Sequence, residues 1–241
     1  MNYLTKLSNI GALGMLGVSM LSATIAEPIE FKLTTSVSNR YVSEGIDNDP
    51  ESSAFSFVEV TAESHGFLFG AWYAQSLRGS ATNEANLFGE YGFDVGPIEL
   101  FAGVNYLTFP ALEDNDTWEL YLGFEYAVLE KLIAYGLTYY DIDEVKGGFL
   151  ELGLLVPLAP GGFDGRLEFA PYAQVGADYG YVSGPRRLRA NNFQVGIGAS
   201  YGVNESVEIF GSANHSFRLK NLRNEGEGDV SWVEAGVAVR F

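Results

Sequence analysis

Apolar side chains recur at every second position in segment after segment of this 241-residue chain. In residues 118–126, for instance, Trp118, Leu120 and Leu122 alternate with Glu119. A period of two is typical of a β-strand with one apolar face and one polar face. The alternation therefore predicts an all-β protein whose fold must cover an apolar face along every strand.

The alternating segments predict twelve strands separated by clusters of turn-forming residues. Their predicted bounds are 30–42, 55–64, 66–76, 84–95, 98–109, 117–127, 131–141, 148–157, 166–180, 191–203, 206–217 and 230–241. Tight turns at 64–66, 96–97, 129–131 and 203–205, with a longer Pro/Gly turn at 157–165 in the same series, take turns along the chain with polar loops at 43–54, 77–83, 110–116, 142–147, 182–190 and 218–229. This order places the short turns and both chain ends on one side, as in an antiparallel up-and-down barrel.

Composition favours a barrel in a membrane. The chain is 47% hydrophobic and contains 17 Phe, 14 Tyr and 29 Gly, but no segment after residue 26 approaches the roughly 18 consecutive apolar residues of a membrane helix. A closed sheet can face lipid with its apolar side and pair the backbone groups of its edges, which lipid cannot solvate. A soluble β-sandwich is the alternative, although it gives no reason for long and short loops to segregate. The prediction is a single closed transmembrane β-barrel.

The first 26 residues have the features of a cleavable signal peptide. Lys6 supplies a positive charge, residues 10–21 form an apolar run, and Ala26 ends a small-x-small pattern. We therefore expect a signal peptide at 1–26 and one barrel domain at 27–241. One of the 14 basic residues lies in the signal peptide, so the remainder carries a formal charge of −18. Such a polyanion is a poor candidate for binding nucleic acid, and the absence of cysteine excludes a disulfide scaffold.

The final segment, 230–241, alternates to the last residue, Phe241. A strand that stops on an aromatic residue of its own apolar face resembles the C-terminal assembly signal of bacterial outer-membrane barrels. The resemblance implies a location in the cell outer membrane. It also implies outer-membrane lipid, lipopolysaccharide and the barrel-assembly machinery as partners.

A second resemblance involves four segments in the first half of the chain. They are 38–46 (SNRYVSEGI), 66–72 (GFLFGAW), 84–91 (EANLFGEY) and 105–110 (NYLTFP). Together they resemble the TorF family of outer-membrane porins, in which the residue before the glycine of the first segment is often Arg, where this chain has Glu44. The resemblance implies a porin-type barrel and brings no catalytic residues.

The inward face of the predicted barrel is acidic. The alternation places eleven acidic residues inside with four basic ones: Glu59, Glu63, Glu90, Glu99, Glu119, Glu125, Glu151, Glu168, Asp178, Glu208 and Glu234, with Lys32, Arg40, Arg166 and Arg240. Carboxylates lining a water-filled lumen would attract cations. Alternatively, these groups pair with one another and with hydroxyl groups and fill a narrow lumen, because twelve strands lie between the packed and the open sizes of barrels.

Two predicted outer loops hold six basic residues: Arg186, Arg187, Arg189, Arg218, Lys220 and Arg223. They could bind lipopolysaccharide phosphates, for which Arg has suitable geometry, or be solvated loops that balance local acids. Acidic loops at 47–51, 113–116 and 141–144 have oxygen ligands but not the spacing of a known calcium loop. We expect neither a metal nor a cofactor.

The residues available for catalysis are few. Asn214, His215 and Ser216 have the residue types of a hydrolase, but adjacent strand residues point to opposite faces and cannot form one triad. We therefore predict that the protein is not an enzyme and that it allows passive, weakly cation-preferring diffusion of small solutes. The alternative is a non-conducting structural or surface-binding barrel that acts through its outer loops; a lipid hydrolase ranks below both.

Overall fold

The computed structural model describes residues 28–78, 82–111, 116–129, 131–182, 186–224 and 228–241. The predicted signal peptide at 1–26 and residues 113–115 of the predicted acidic loop at 113–116 lie outside these ranges. Twelve long strands form the wall: β1 (Glu30–Ser38), β4 (Ala54–Ser64), β5 (Phe67–Arg78), β6 (Asn83–Val95), β7 (Ile98–Thr108), β8 (Thr117–Leu129), β9 (Leu132–Asp141), β10 (Gly148–Leu155), β11 (Leu167–Tyr179), β12 (Arg189–Gly202), β13 (Val207–Arg218) and β14 (Val230–Arg240). A small hairpin of β2 (Val42–Ser43) and β3 (Ile46–Asp47) lies in the first outer loop, and a short helix, α1 (Lys220–Asn224), lies in the last.

The wall is a closed antiparallel barrel in which each long strand pairs with its neighbours in the chain. β1 closes the ring by pairing with β14, with Lys32 opposite Arg240 and Ser38 opposite Glu234. The prediction of a twelve-stranded up-and-down barrel is thus confirmed, and the soluble sandwich is excluded as the fold. One bound differs by several residues, because β1 ends at Ser38 and the chain then leaves the wall.

The outer face of the wall is apolar. On β8, the side chains of Leu120 and Leu122 are 51% and 49% exposed, whereas Glu119 and Tyr121 between them are 4% and 8% exposed. The same contrast is found around the ring, where the outward residues include Val60, Phe69, Leu87, Val104, Leu152, Val175, Ile197 and Val233. Exposed apolar side chains on every strand are stable when they face hydrocarbon, which is the arrangement of a transmembrane barrel.

Large aromatic rings on the inner face lie over glycines. The ring of Phe101 lies over Gly123, the residue directly opposite on β8, where an added Cβ would be 1.9 Å from the ring. The other pairs of this kind are Phe88 over Gly70, Tyr121 over Gly103, Tyr135 over Gly153, Tyr172 over Gly196, and Phe210 over Gly236. Because glycine has no side chain, each ring can lie flat against the wall instead of extending toward the axis.

The two ends of the barrel differ. Tight turns such as Gly96 and Pro97 join strands on the side of the chain ends, and the longer loops emerge on the other side. Phe241 stacks on Phe31 at 6.0 Å and is 71% exposed, so the final aromatic ring lies on the outside of the barrel. In the described part of the chain, no helix is long and apolar enough to span a membrane.

Candidate functional site

The inner wall formed by β6, β7 and β8 is acidic. Glu90, Glu99, Glu119 and Glu125 point inward and are each less than 8% exposed. Cross-strand pairing places Glu99 directly opposite Glu125, and also opposite Asp94 on its other side. Like charges directly opposite each other destabilise a sheet. The inner wall over β6, β7 and β8 (the acidic wall) therefore holds carboxyl groups that repel one another when they are charged.

Several oxygens of this acidic wall have no hydrogen-bond partner within the protein. They are both carboxyl oxygens of Glu99 and one each of Glu90 and Glu125, counted over the described ranges. A buried oxygen without a partner costs about 1–3 kcal/mol. Such oxygens are expected where a protein leaves its carboxyl groups available to water, a proton or a cation.

The adjoining part of the ring, from β9 to β13, is lined by amide and hydroxyl groups that bond to one another. Tyr135 donates to Gln174 at 2.9 Å, and Gln174 donates to Glu151 at 3.0 Å. A second chain runs from Gln194 to the hydroxyl of Tyr172 and from there to Asn214, both at 2.7 Å. These networks link side chains of nearby strands and cover the inner face of this part of the wall with hydrogen-bonded polar groups.

The first outer loop, residues 39–53 (loop 1), folds into the barrel. Its hairpin turns at Glu44 and Gly45, which have positive φ values of 50° and 76°. The side-chain amide of Asn191 donates to the backbone carbonyl of Glu44 at 2.6 Å, and Nε of Arg218 donates to that of Gly45 at 2.8 Å. A Cβ at Gly45 would lie 2.5 Å from Asn192, so only glycine fits this contact.

Loop 1 reaches the far side of the lumen. The hydroxyl of Tyr139, on β9, donates a hydrogen bond to the carboxylate of Glu44. In the closed ring, β9 is six strands from β1 in either direction. The tip of loop 1 therefore touches the wall diametrically opposite the strand from which it starts.

Two further tyrosines bond to acidic-wall carboxylates near the outer end. Tyr41, in loop 1, donates to Glu84 and contacts the ring of Trp72 at 5.9 Å. Tyr181, in the loop after β11, donates to Glu119 and packs edge-on against Tyr139 at 5.0 Å. Three tyrosine–carboxylate pairs thus lie across the outer part of the lumen.

The predicted acidic lining residues all lie on the inward phase of their strands. Of the predicted basic lining residues, Arg240 lies inside near Lys32 and 3.6 Å from Glu30. Arg166 is placed elsewhere: it precedes β11 and lies over the ring of Tyr201 on the outward face. The prediction for Arg166 is corrected because the alternation begins only at Leu167.

Arg40 is also displaced from its predicted position. Because β1 ends at Ser38, Arg40 lies within loop 1, where it pairs with Asp47 at 3.0 Å and donates to the carbonyl of Pro50. These contacts join Arg40 to other residues of loop 1, so Arg40 stabilises the loop and does not belong to a lining strand. The effect of the early strand end is therefore to move a predicted lining charge into the inward loop.

The predicted outer basic residues divide into two sets. Arg186, Arg187 and Lys220 are exposed, as is Arg223, which lies 3.8 Å from Asp229. Arg189 instead pairs with Asp178 at 3.1 Å, and Arg218 is 3% exposed beneath loop 1. These last two are corrections: both are strand residues that face inward, not loop residues.

The acidic loop at 141–144 is held by hydrogen bonds to its own backbone. One carboxyl oxygen of Asp141 accepts hydrogen bonds from the backbone N–H groups of Asp143, Val145 and Lys146. Over the described ranges, no three His, Cys, Asp or Glu side chains converge as metal ligands would.

His215 faces outward, where Nδ1 lies 2.6 Å from the hydroxyl of Ser231 and the ring contacts Phe217.

Sequence reasoning missed two acidic residues of the site. Glu84 has the same inward phase on β6 as Glu90, so the alternation was a sufficient signal for it. Glu44 gave no such signal, because periodicity does not show in which direction a loop folds. The only sequence feature that pointed to Glu44 was its position next to Gly45, because glycine often marks a turn.

Comparison with solved structures finds outer-membrane porins and channels of the same architecture. The KdgM porin has a TM-score of 0.56 at 10% identity, over 88% of this chain and 99% of that one, and the KdgM porin in complex with disordered oligogalacturonate gives 0.55. The NanC porin gives 0.55 at 9% identity, over 88% and 99% of the two chains. The COG4313 outer membrane channel from Pseudomonas putida F1 gives 0.52 at 9% identity, over 91% and 97%. No family model and no curated protein matches the sequence.

Proposed function

We propose that the protein is an outer-membrane channel through which small solutes diffuse passively, with a weak preference for cations. The observation that carries this proposal is the acidic wall, with its buried, partly unpartnered carboxyl groups inside a closed barrel. Carboxylates in a lumen attract cations and repel anions. The porin fold shared with KdgM and NanC supports the channel role.

The lumen chemistry also bears on the class of solute. The polar networks and loop 1 narrow the passage, so we expect small conductance steps and small permeant solutes. One KdgM structure contains oligogalacturonate, which is an oligomer of acidic sugars. The acidic wall formed by Glu90, Glu99 and Glu125 would repel such an anion. We therefore propose that the solutes are cations or uncharged molecules.

The location and partners follow from the same proposal. An apolar outer wall and the exposed terminal ring of Phe241 fit insertion into the outer membrane by the barrel-assembly machinery. Exposed Arg186 and Arg187 are suited to lipopolysaccharide phosphates, for which the guanidinium geometry is favourable. Membership of the TorF family is part of this proposal and rests on the four sequence segments, including the one that forms loop 1.

The test is single-channel recording in a planar bilayer under a salt gradient. Discrete steps with a cation-biased reversal potential are expected for the wild type. Glu99→Gln together with Glu125→Gln should reduce that bias, because both neutralised groups lie on the acidic wall. Glu205→Gln, in an exposed turn, is the matched control and should leave the bias unchanged. An unchanged bias in the double variant contradicts the role of the wall.

The second candidate function is a non-conducting structural or surface-binding barrel. The observation that favours it is the filling of the lumen by loop 1 and by the networks around Gln174 and Tyr172. Folded protein that inserts into the bilayer but produces no current steps would support this candidate. It would also contradict diffusion through the wild-type lumen.

A further inference from the structure

Loop 1 is the part of the molecule that crosses the lumen. It leaves β1, turns at Glu44 and Gly45, and meets Tyr139 on the opposite wall. A solute that moves along the barrel axis must therefore pass beside this loop. The tip of the loop is the place where the protein comes closest to closing its own passage.

Loop 1 is held in place mainly by hydrogen bonds to its backbone carbonyl groups. Asn191 and Arg218 donate to the carbonyl groups of residues 44 and 45, and such contacts do not depend on the side chain at position 44. The tight contact between Gly45 and Asn192 fixes the same turn against β12. A substitution at position 44 thus leaves these backbone contacts in place, although it removes the hydrogen bond with Tyr139.

The passage lies on the acidic side of loop 1. On the side of β12 and β13, the backbone of the loop is in direct contact with Asn191, Asn192 and Arg218. Toward β6 and β8, by contrast, no contact to the loop backbone is described, and the contacts are made by side chains: Tyr41 donates to Glu84, and Tyr181 of another loop donates to Glu119. Ions that enter from the outer end are therefore directed between the loop and the acidic wall.

We propose that loop 1 forms the constriction of the channel and that the side chain of Glu44 at its tip determines which ions pass. This inference rests on the proposed function, and it adds Glu44, a loop residue, to the strand residues proposed to control ion preference. Arg189 is paired with Asp178, and Arg218 bonds to the loop backbone, so the basic groups near the tip already have partners. A carboxylate at position 44 therefore adds negative charge at the narrowest level, and a basic residue there would reverse the preference.

Cysteine chemistry tests the role of position 44, because the chain contains no cysteine. Glu44→Cys and Asn48→Cys are single variants of the same loop, and Asn48 is exposed. Attachment of a positively charged methanethiosulfonate reagent at position 44 should reduce cation current several-fold and shift the reversal potential toward anions. An anionic reagent should restore the cation bias. Modification at position 48 should change neither quantity. Equal effects at the two positions, or none at position 44, overturn the proposal.

Shortening the loop separates this inference from the proposed function. Residues 42–47 are replaced by two glycines, and heat-modifiable electrophoretic mobility reports whether the barrel has folded. We expect larger current steps with a weaker cation bias. If the wild type is silent and the shortened variant conducts, loop 1 is the barrier but the wild-type diffusion role fails. If both conduct equally, the constriction is elsewhere and the inference fails while the proposed function remains.

A milder variant covers the case in which the shortened barrel does not fold. Tyr139→Phe removes the hydroxyl that holds Glu44 and leaves the aromatic ring against Tyr181. Larger or noisier current steps in this variant support the constriction. Steps identical to those of the wild type count against the constriction at loop 1, and they leave the proposed function in place because the wild type then conducts.

Discussion

The carboxylate of Glu44 accepts a hydrogen bond from Tyr139, although the two residues belong to opposite sides of the barrel. The bond joins residues 95 positions apart in the chain. It does not contribute to the wall of the barrel, which is already complete without it. Its physical effect is to hold an outer loop at a fixed depth inside the lumen.

Removal of this bond should loosen loop 1 without affecting the barrel. A hydrogen bond to a charged group contributes about 1.5–3 kcal/mol, so amide exchange in residues 41–48 should accelerate by about tenfold or more in Tyr139→Phe. Tyr140→Phe is the matched control, because its hydroxyl donates to the carbonyl of Lys146 on the outer face. Hydrogen exchange followed by mass spectrometry measures both variants. Equal loop protection in the two would show that the Tyr139 hydroxyl does not hold the loop.

The equilibrium between loop 1 bound inside the lumen (the seated loop) and loop 1 detached from it (the released loop) should depend on pH; the free energy that favours the bound position is called its seating. Burial raises the pKa of the Glu44 carboxyl; hydrogen bonds from Ser43 and Tyr139 oppose this rise, and the charge of Asp178 adds to it. The titratable and charged groups that face it are, in order around the ring, Glu84 on β6, Glu119 on β8, Tyr139 on β9, Glu151 on β10, Asp178 on β11 and Arg218 on β13, with Tyr41 and Tyr181 from two loops. The seated loop thus binds the Glu44 proton more tightly than the released loop does.

The sign of the pH effect follows from this raised pKa. Seating is strongest below the ordinary carboxyl pKa of about 4.3 and weakens as pH rises through the raised value. Exchange rates of loop 1, corrected for the intrinsic effect of pH, should therefore increase with pH in the wild type. Glu44→Gln removes the titrating group and should flatten this dependence. A slope that persists unchanged in Glu44→Gln would assign the effect to a neighbouring carboxyl group.

The aromatic–glycine pairs should be sensitive to a single methyl group. Gly123→Ala would place a Cβ within 1.9 Å of the fully buried ring of Phe101. Overpacking of this kind costs about 1–3 kcal/mol. Gly202→Ala is the control, because its added Cβ would have no atom closer than 4.0 Å. Urea unfolding in lipid vesicles compares the two, and equal stabilities would mean that the Phe101 ring has room to move.

A charge on the outer wall should cost more at mid-strand than near an end. Leu122→Lys lies near the middle of β8 and is expected to lower the free energy of unfolding by about 2–4 kcal/mol. Val128→Lys, near the end of the same strand, should cost about 0–1 kcal/mol, because the ammonium group can reach water. The same unfolding measurement applies. Equal costs at the two positions would contradict the assignment of this face to lipid.

The sequence was sufficient to predict the wall because lipid imposes one rule on every strand. A shift of one residue would turn Leu120 and Leu122 inward and Glu119 into hydrocarbon, so the alternation determines orientation as well as strand position. The same rule placed Glu99 and Glu125 on the inward face. It also placed His215 outside, apart from its neighbours in the chain.

The rule does not extend to residues outside the strands. Arg40 and Arg166 lie beyond strand ends, where no alternation determines the side of the wall they face. Glu44 is held by Asn191, Tyr139 and Arg218, which follow it by about one hundred residues or more, and single-sequence patterns carry no information about such contacts. Arg218 was assigned to an outer loop for the same reason: its partner is the backbone of loop 1.

The flat aromatic rings make the width of the lumen dependent on single glycine residues at each depth. Each ring, such as Phe88 over Gly70, is accommodated by a single residue on the adjacent strand. A mutation that replaces one of these glycines would tilt one ring toward the axis at one depth and leave the other levels as they are. Substitutions at these glycines would thus alter the internal diameter one depth at a time, without a change in strand number or in the surface that meets the membrane.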